Sequence, residues 1–241
     1  MGQPAHHRES GQAAVETAIV LPLMVFMLLG VLQMTLAYQA RLVNEYAAFK
    51  VARSASVYRL DCERMVRAGL MALVPTVSRA GLGSYQQRFL SAARMLLNSN
   101  TPPNAGVAIP LVRVHYRVSG YSGRPFDQQL LPTEEPMKVH VRLSYYWEYQ
   151  IPFANWIITR VWLASHTGQA WATGADPITP VRRTAGAVKA ANETSSEISL
   201  DVGIVRQAIG RNYFTTPLVS TWSMRMMSDP LPGAQLTGEC R

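Results

Sequence analysis

The chain has 241 residues, of which 48% are hydrophobic and only 16% are charged, and this balance excludes an intrinsically disordered protein. The mean hydropathy of +0.02 is too low for a polytopic membrane protein and fits one membrane segment joined to a polar domain. The net charge of +8 comes from scattered basic residues rather than from a basic block, so we expect no specific nucleic acid as a partner.

A long apolar segment follows a polar leader. No charged residue lies between Glu16 and Arg41, and an apolar run of about 20 residues is long enough to span a bilayer as a helix. A secretory signal peptide, a plain transmembrane anchor and a pilin-type helix are the three interpretations. The signal peptide is disfavoured because Arg8 is balanced by Glu9 and no small-x-small cleavage site follows the run.

The junction between leader and apolar helix carries the strongest motif of the chain. A glycine stands there, and a glutamate follows at the fifth position after it. This arrangement resembles the processing site of type IV prepilins and their Flp/Tad relatives. The wider string resembles the TadE-like family of pilin-like proteins more closely, departing only at Thr17, where that family usually has an aromatic residue. The matching positions are Gly11, Val15, Glu16, Ala18 and Pro22.

The resemblance implies a role for each of these positions. A membrane aspartyl prepilin peptidase is expected to cleave after Gly11 and leave Gln12 as the new N-terminus. Glu16 would then pair with that amine on a neighbouring subunit, whereas the plain alternative is a carboxylate favoured by the dipole at a helix N-terminus. Pro22 would mark a local break in the helix used during extraction from the bilayer, or it is an ordinary transmembrane proline.

The same resemblance predicts partners, location and domain organisation. The expected partners are other pilin-like subunits, the Tad inner-membrane assembly platform and the membrane itself. The expected location is the bacterial inner membrane, with one span, a cytoplasmic N-terminus and an exported domain that also enters a pilus. The predicted segments are a leader at 1–11, a transmembrane helix at 12–40 and an exported α+β domain at 41–241.

The first helix is predicted to continue beyond the membrane. Large apolar residues recur at helical spacing after the span, and no glycine or proline interrupts the chain from Val31 until Gly69. We expect this stripe to lie on the domain, although the two tyrosines also suit a membrane interface. The stripe consists of Tyr38, Leu42, Tyr46 and Phe49.

Two more helices are predicted before the sheet. Asp61 is placed to cap a helix that runs to about Val74 and ends at Pro75. Ser84 and Gln87 have the spacing of a capping box that opens a third helix.

Alternation with a period of two then predicts two antiparallel strands, at 112–118 and 139–149. One face of this pair is apolar and expected under the first helix, and the other is basic and expected to be solvated, with His115 and His140 on it. A short helix is expected at 153–164, interrupted helical signals at 190–211 and a final strand at 218–227. The role of the region 165–211 stays open.

The predicted fold class is therefore α+β: a long N-terminal helix, transmembrane and then amphipathic, packed on a small antiparallel β-sheet, pilin-like, with extra helices. The chain has two cysteines. A Cys62–Cys240 disulfide and two unpaired thiols are equally open from the sequence.

No catalytic motif is found, so we expect no enzyme, no catalytic residue, no cofactor and no metal site. The predicted function is that of a minor pilin or pseudopilin of a Flp/Tad-type pilus or a related secretion system, acting in assembly, secretion or adhesion. The alternative is a membrane-anchored exported binding domain whose basic sheet face contacts DNA, polysaccharide or anionic lipid.

Overall fold

The computed structural model describes residues 9–77, 84–102, 109–121, 123, 136–167 and 195–240. Within these ranges the fold is α+β, as predicted, with a long first helix set against one four-stranded antiparallel sheet of order β3-β2-β1-β4. The elements in chain order are α1 Glu9–Val57, α2 Cys62–Val77, α3 Tyr85–Ser99, β1 Val112–Ser119, β2 Lys138–Glu148, α4 Ala154–Thr167, α5 Ser195–Ile209, β3 Thr215–Arg225 and β4 Thr237–Cys240.

The second half of α1 lies on the sheet through a face of small residues. At 1.5 Å per residue, its 49 residues make a helix of about 73 Å. The buried positions recur every three or four residues and are mostly alanine, which lets the helix backbone approach the sheet closely. They are Gln33, Ala37, Ala40, Asn44, Ala47, Ala48, Val51, Ala52 and Ala55, and Ser54 and Ser56 are also buried at the end of the helix.

This arrangement corrects the predicted aromatic stripe. Tyr38, Leu42 and Tyr46 are exposed on the opposite side of α1, and only Phe49 is partly covered, where its ring meets Trp222 at 5.4 Å. The stripe has the right helical period, but large side chains would hold the helix away from the sheet, so the alanine face packs instead.

The apolar face of the sheet forms the core, as the alternation predicted. Val139, Val141, Leu143 and Tyr145 of β2 are all buried between the sheet and α1 or α2. Gly69 of α2 sits against α1, and a Cβ atom built on it would lie 3.0 Å from the Val51 side chain. The two helices therefore come close together at this glycine.

The predicted helix signals are confirmed with one extension. The carboxylate of Asp61 accepts a hydrogen bond from the backbone N–H of Glu63 at 3.0 Å, so it caps α2. Pro75 lies inside α2, which continues to Val77 rather than ending at the proline. Ser84 and Gln87 form the reciprocal capping box of α3.

The polar face of the sheet is only partly open, which corrects the expected solvated face. Lys138 and Arg117 are exposed there, whereas Arg113 and Arg142 are buried beneath α5. The prediction that Gly203 interrupts the helical signals of 190–211 is also wrong, because α5 continues through Gly203 to Ile209. Of the region 165–211, whose role the sequence left open, residues 168–194 lie outside the described residues.

The C-terminal end is tied to the start of α2. Cys62 and Cys240 form a disulfide with their Cα atoms 5.3 Å apart. Cys240 is the last residue of β4, which pairs with the outer edge of β1. The bridge therefore fixes an edge strand of only four residues, Thr237–Cys240, against the rest of the fold.

Candidate functional site

The candidate site is the first half of α1, where the sequence places the processing and assembly residues. Gly11 and Gln12 lie within the helical backbone near the start of α1, while the leader residues 1–8 lie outside the described part of the chain. Glu16 follows on an exposed position. Pro22 lies inside the helix, which continues past it without interruption. All four residues therefore lie on the same helix, in the half of α1 that is not packed on the sheet.

The surface of this half-helix is almost entirely apolar and uncovered. Apart from the partly covered Leu29, its large apolar side chains from Val15 to Leu32 have exposed fractions of 46–69%. A continuous apolar surface of this extent exceeds what soluble monomers leave in water. Within the described residues, the helix is also the one element that is long and apolar enough to cross a membrane. These properties fit a membrane anchor.

Two buried polar side chains fix α1 against the domain. The Gln33 Oε1 atom accepts a hydrogen bond from the backbone N–H of Ile151 at 2.9 Å. The Asn44 amide donates to the Leu218 carbonyl oxygen and to the Ser220 hydroxyl oxygen, each at 2.8 Å. Since these contacts lie 11 residues apart on the alanine face, they set both the rotation and the axial position of the helix.

Sequence reasoning missed both residues. They lie on a helix face made of alanines, which a search for large apolar side chains does not detect. The available signal was that Gln33 and Asn44 have helical spacing to these alanines and therefore lie on the same face. The packed part of α1 begins at Gln33, which lies inside the segment 12–40 that the sequence assigns to the membrane.

A second constellation, which the sequence did not predict as a cluster, lies between the sheet and α5. The Arg113 guanidinium donates to Asp201 Oδ1 at 3.0 Å and to Glu239 Oε1 at 2.8 Å. Tyr146 donates its hydroxyl proton to the same Asp201 oxygen at 2.5 Å, and Arg142 Nη2 lies 3.6 Å from Asp201 Oδ2. We call these five residues the buried charge cluster.

Burial dominates the electrostatics of the buried charge cluster. It raises the pKa of Asp201, while the hydrogen bond from Tyr146 and the positive charge of Arg142 act in the opposite direction. Burial also raises the pKa of Tyr146, which keeps its hydroxyl neutral and able to donate. Two guanidiniums face two carboxylates, so the charges balance. The arrangement holds α5 and β4 to the sheet.

Of the two predicted histidines, His115 contacts the buried charge cluster, with its Nε2 atom 3.1 Å from Arg113 Nη2, which corrects its expected place on a solvated face. His140 lies at the open end of this face. The His140 ring is held by the hydroxyls of Ser119 at 2.9 Å and Ser223 at 2.7 Å. Burial lowers the pKa of His140, and the nearby charges of Arg117 and Lys138 lower it further. Within the described ranges, no group of three or more His, Cys, Asp or Glu side chains is arranged to hold a metal ion.

The comparisons with known proteins bear on α1. Residues 11–53 match the family model described as TadE-like protein. Most of the N-terminal helix is therefore similar to this family. The match begins at Gly11 and ends at Arg53, so it covers both the exposed half of α1 and most of its alanine face. The family match indicates a function related to Flp/Tad pili. Neither the curated proteins nor the solved structures gave a match.

Proposed function

We propose that the chain is a minor pilin or pseudopilin of a Flp/Tad-type pilus or a related secretion system, and that it assembles through α1 after cleavage between Gly11 and Gln12. One observation supports this most: Glu16 follows Gly11 by five residues at the head of an exposed apolar half-helix, inside the TadE-like match. A chain that was only anchored would not need a carboxylate at the entrance to its span, where charge is costly.

Cleavage creates the partner for Glu16. The new α-amine on Gln12 has an ordinary pKa of about 7.7–8.0 and is largely protonated at neutral pH. At a separation of about 4 Å and an effective dielectric constant of about 20, a carboxylate and an ammonium attract by about 4 kcal/mol before desolvation is subtracted. An uncleaved chain has an amide at this position. Pairing between the Glu16 of one subunit and the Gln12 amine of the next therefore couples assembly to processing.

The proposal includes location and partners. The leader 1–11 lies in the cytoplasm until a membrane aspartyl prepilin peptidase removes it, the segment 12–40 holds the chain in the inner membrane, and the domain 41–241 is exported. The Cys62–Cys240 disulfide supports export, because disulfides persist in oxidising compartments. Other pilin-like subunits and the Tad assembly platform are the partners. Pro22 has no backbone N–H, so one hydrogen bond of the helix is missing there, and the helix can loosen at this point while it is extracted from the bilayer.

The test is Glu16→Ala, with Glu45→Ala as the matched control. Both residues are exposed glutamates on α1, and Glu45 makes a surface ion pair with Arg41 at 3.4 Å that is worth at most a few tenths of a kcal/mol. The expected result is that Glu16→Ala reaches the membrane at the wild-type level but is lost from sheared surface filaments. Glu45→Ala should appear in both fractions. Wild-type incorporation of the Glu16→Ala chain would refute the proposal.

A further inference from the structure

The outward face of the first two turns of α4 is mostly apolar. Phe153, directly before the helix, and Trp156, Ile157 and Val161 within it are 50–66% exposed and lie at the spacing of one helical face. Arg160 is the charged residue on this face, and its guanidinium lies 6.0 Å from the centre of the Trp156 ring. The opposite side of α4 already contacts the protein through Trp162, which packs against Val202 and Val205 of α5.

An uncovered face of this kind is not general in the domain. The outward face of α2 carries Glu63, Arg64 and Arg67, as expected for a helix in contact with water. In α4 one apolar face packs on the protein and a second apolar face is exposed. Tryptophan and arginine among the exposed residues are typical of a helix at a membrane interface.

The position of α4 along α1 identifies the surface that covers it. The Phe153 ring contacts the Phe26 ring edge to face, with centroids 6.0 Å apart, and Phe26 lies within the apolar half of α1. The hydrogen bond from Ile151 to Gln33 lies seven residues, or about 10 Å, further along the helix. The first turn of α4 is therefore at the depth of the apolar run, not beyond it.

The length of the span makes this placement unavoidable where α1 crosses a bilayer. The uncharged run begins after Glu16, and the nine residues from Thr17 to Phe26 rise by only about 14 Å. The hydrocarbon core is about 30 Å thick. About 16 Å of the hydrocarbon core therefore remains, and it surrounds the part of α1 that Phe153 and α4 flank.

We propose that α4 is an interfacial membrane helix, with the face formed by Phe153, Trp156, Ile157 and Val161 in the outer-leaflet lipid and Arg160 at the phosphates of the headgroups. The inference rests on the proposed membrane insertion of α1. The domain then contacts the bilayer at two points, α1 and α4, which fixes its tilt on the membrane.

The test is fluorescence quenching of the full chain in phosphatidylcholine vesicles with brominated acyl chains. Trp156→Phe is compared with Trp222→Phe, whose indole is similarly exposed but packs on Phe49, 23 residues or about 35 Å beyond Phe26 along α1. The expected result is that the fraction of emission quenched by brominated lipid falls at least twofold in Trp156→Phe and does not fall in Trp222→Phe. The fraction of emission quenched by aqueous iodide should instead fall in Trp222→Phe and not in Trp156→Phe.

Two results would overturn the inference about α4. Quenching of Trp156 by iodide and not by brominated lipid would place α4 in water, and protection from both quenchers would place it against another protein. Alkaline carbonate extraction of the same vesicles separates this failure from failure of the proposed function. A chain that stays in the membrane while Trp156 is not quenched by lipid refutes only the role of α4, whereas a chain that is extracted refutes the membrane anchoring on which both proposals depend.

Discussion

Replacement of Asp201 by alanine tests whether the buried charge cluster holds α5 against the sheet. The carboxylate lies 3.0 Å from Arg113 Nη1 and 3.6 Å from Arg142 Nη2. Removing one partner of a buried ion pair costs about 3–5 kcal/mol, because the remaining charge stays out of water. Since Arg113 keeps Glu239 at 2.8 Å, we expect the lower end, a loss of about 3 kcal/mol in the free energy of unfolding.

Urea unfolding of the full chain in detergent micelles measures this loss. Tryptophan emission is a suitable signal, because Trp162 of α4 packs against Val202 and Val205 of α5. A loss of about 3 kcal/mol corresponds to about a 150-fold change in the unfolding equilibrium, so backbone amides of α5 should exchange their hydrogens faster by up to that factor. Arg206→Ala is the matched control, since this exposed residue of the same helix should change stability by less than about 0.5 kcal/mol.

The reasoning would be refuted by an Asp201→Ala chain that unfolds within about 1 kcal/mol of the wild type with unchanged exchange in α5. Such a result would mean that apolar packing alone places α5 and that the buried charges only cancel their own desolvation. Asp201→Asn separates the two contributions, because it keeps the volume of the side chain while removing its charge.

Three further predictions address the bridge, the open end of the sheet and the alanine face. Replacing Cys62 and Cys240 by serine should lower the free energy of unfolding by about 2–4 kcal/mol, since the bridge joins residues 178 apart; in urea titrations, a reducing agent should then leave the variant unchanged. Because the pKa of His140 is lowered in the fold, the unfolded chain binds a proton more readily and stability should fall as the pH drops below about 6.5. His140→Asn should flatten that slope in thermal melts, and an unchanged slope would contradict the assignment. Ala48→Leu should cost about 1–3 kcal/mol in urea unfolding by overpacking, and Leu42→Ala less than about 0.5 kcal/mol; the reverse order would restore the aromatic stripe as the packed face.

Local signals were sufficient for much of the fold. The capping box of Ser84 and Gln87 depends on two side chains three residues apart, so it is readable from the sequence alone. The same holds for the apolar face of β2, because alternation along one strand decides which side chains enter the core. The TadE-like motif at Gly11 and Glu16 likewise lies within one short segment.

What the sequence could not predict depends on distant partners or on small residues. The packed face of α1 is marked by Ala48 and its neighbours, and hydrophobic periodicity weights large side chains such as Tyr46 instead. The burial of Arg113 requires Asp201, which is 88 residues away on another element. A strand with alternating arginines looks solvated until the helix that covers it is known.

The measurement that tests the central claim most directly is the mature N-terminus of the protein purified from native membranes, by intact mass and N-terminal peptide mapping. Processing as a prepilin predicts a chain that begins at Gln12 and keeps the whole of the segment from Val15 to Val57. A chain that begins at Met1, or one cleaved after the apolar run, would contradict it.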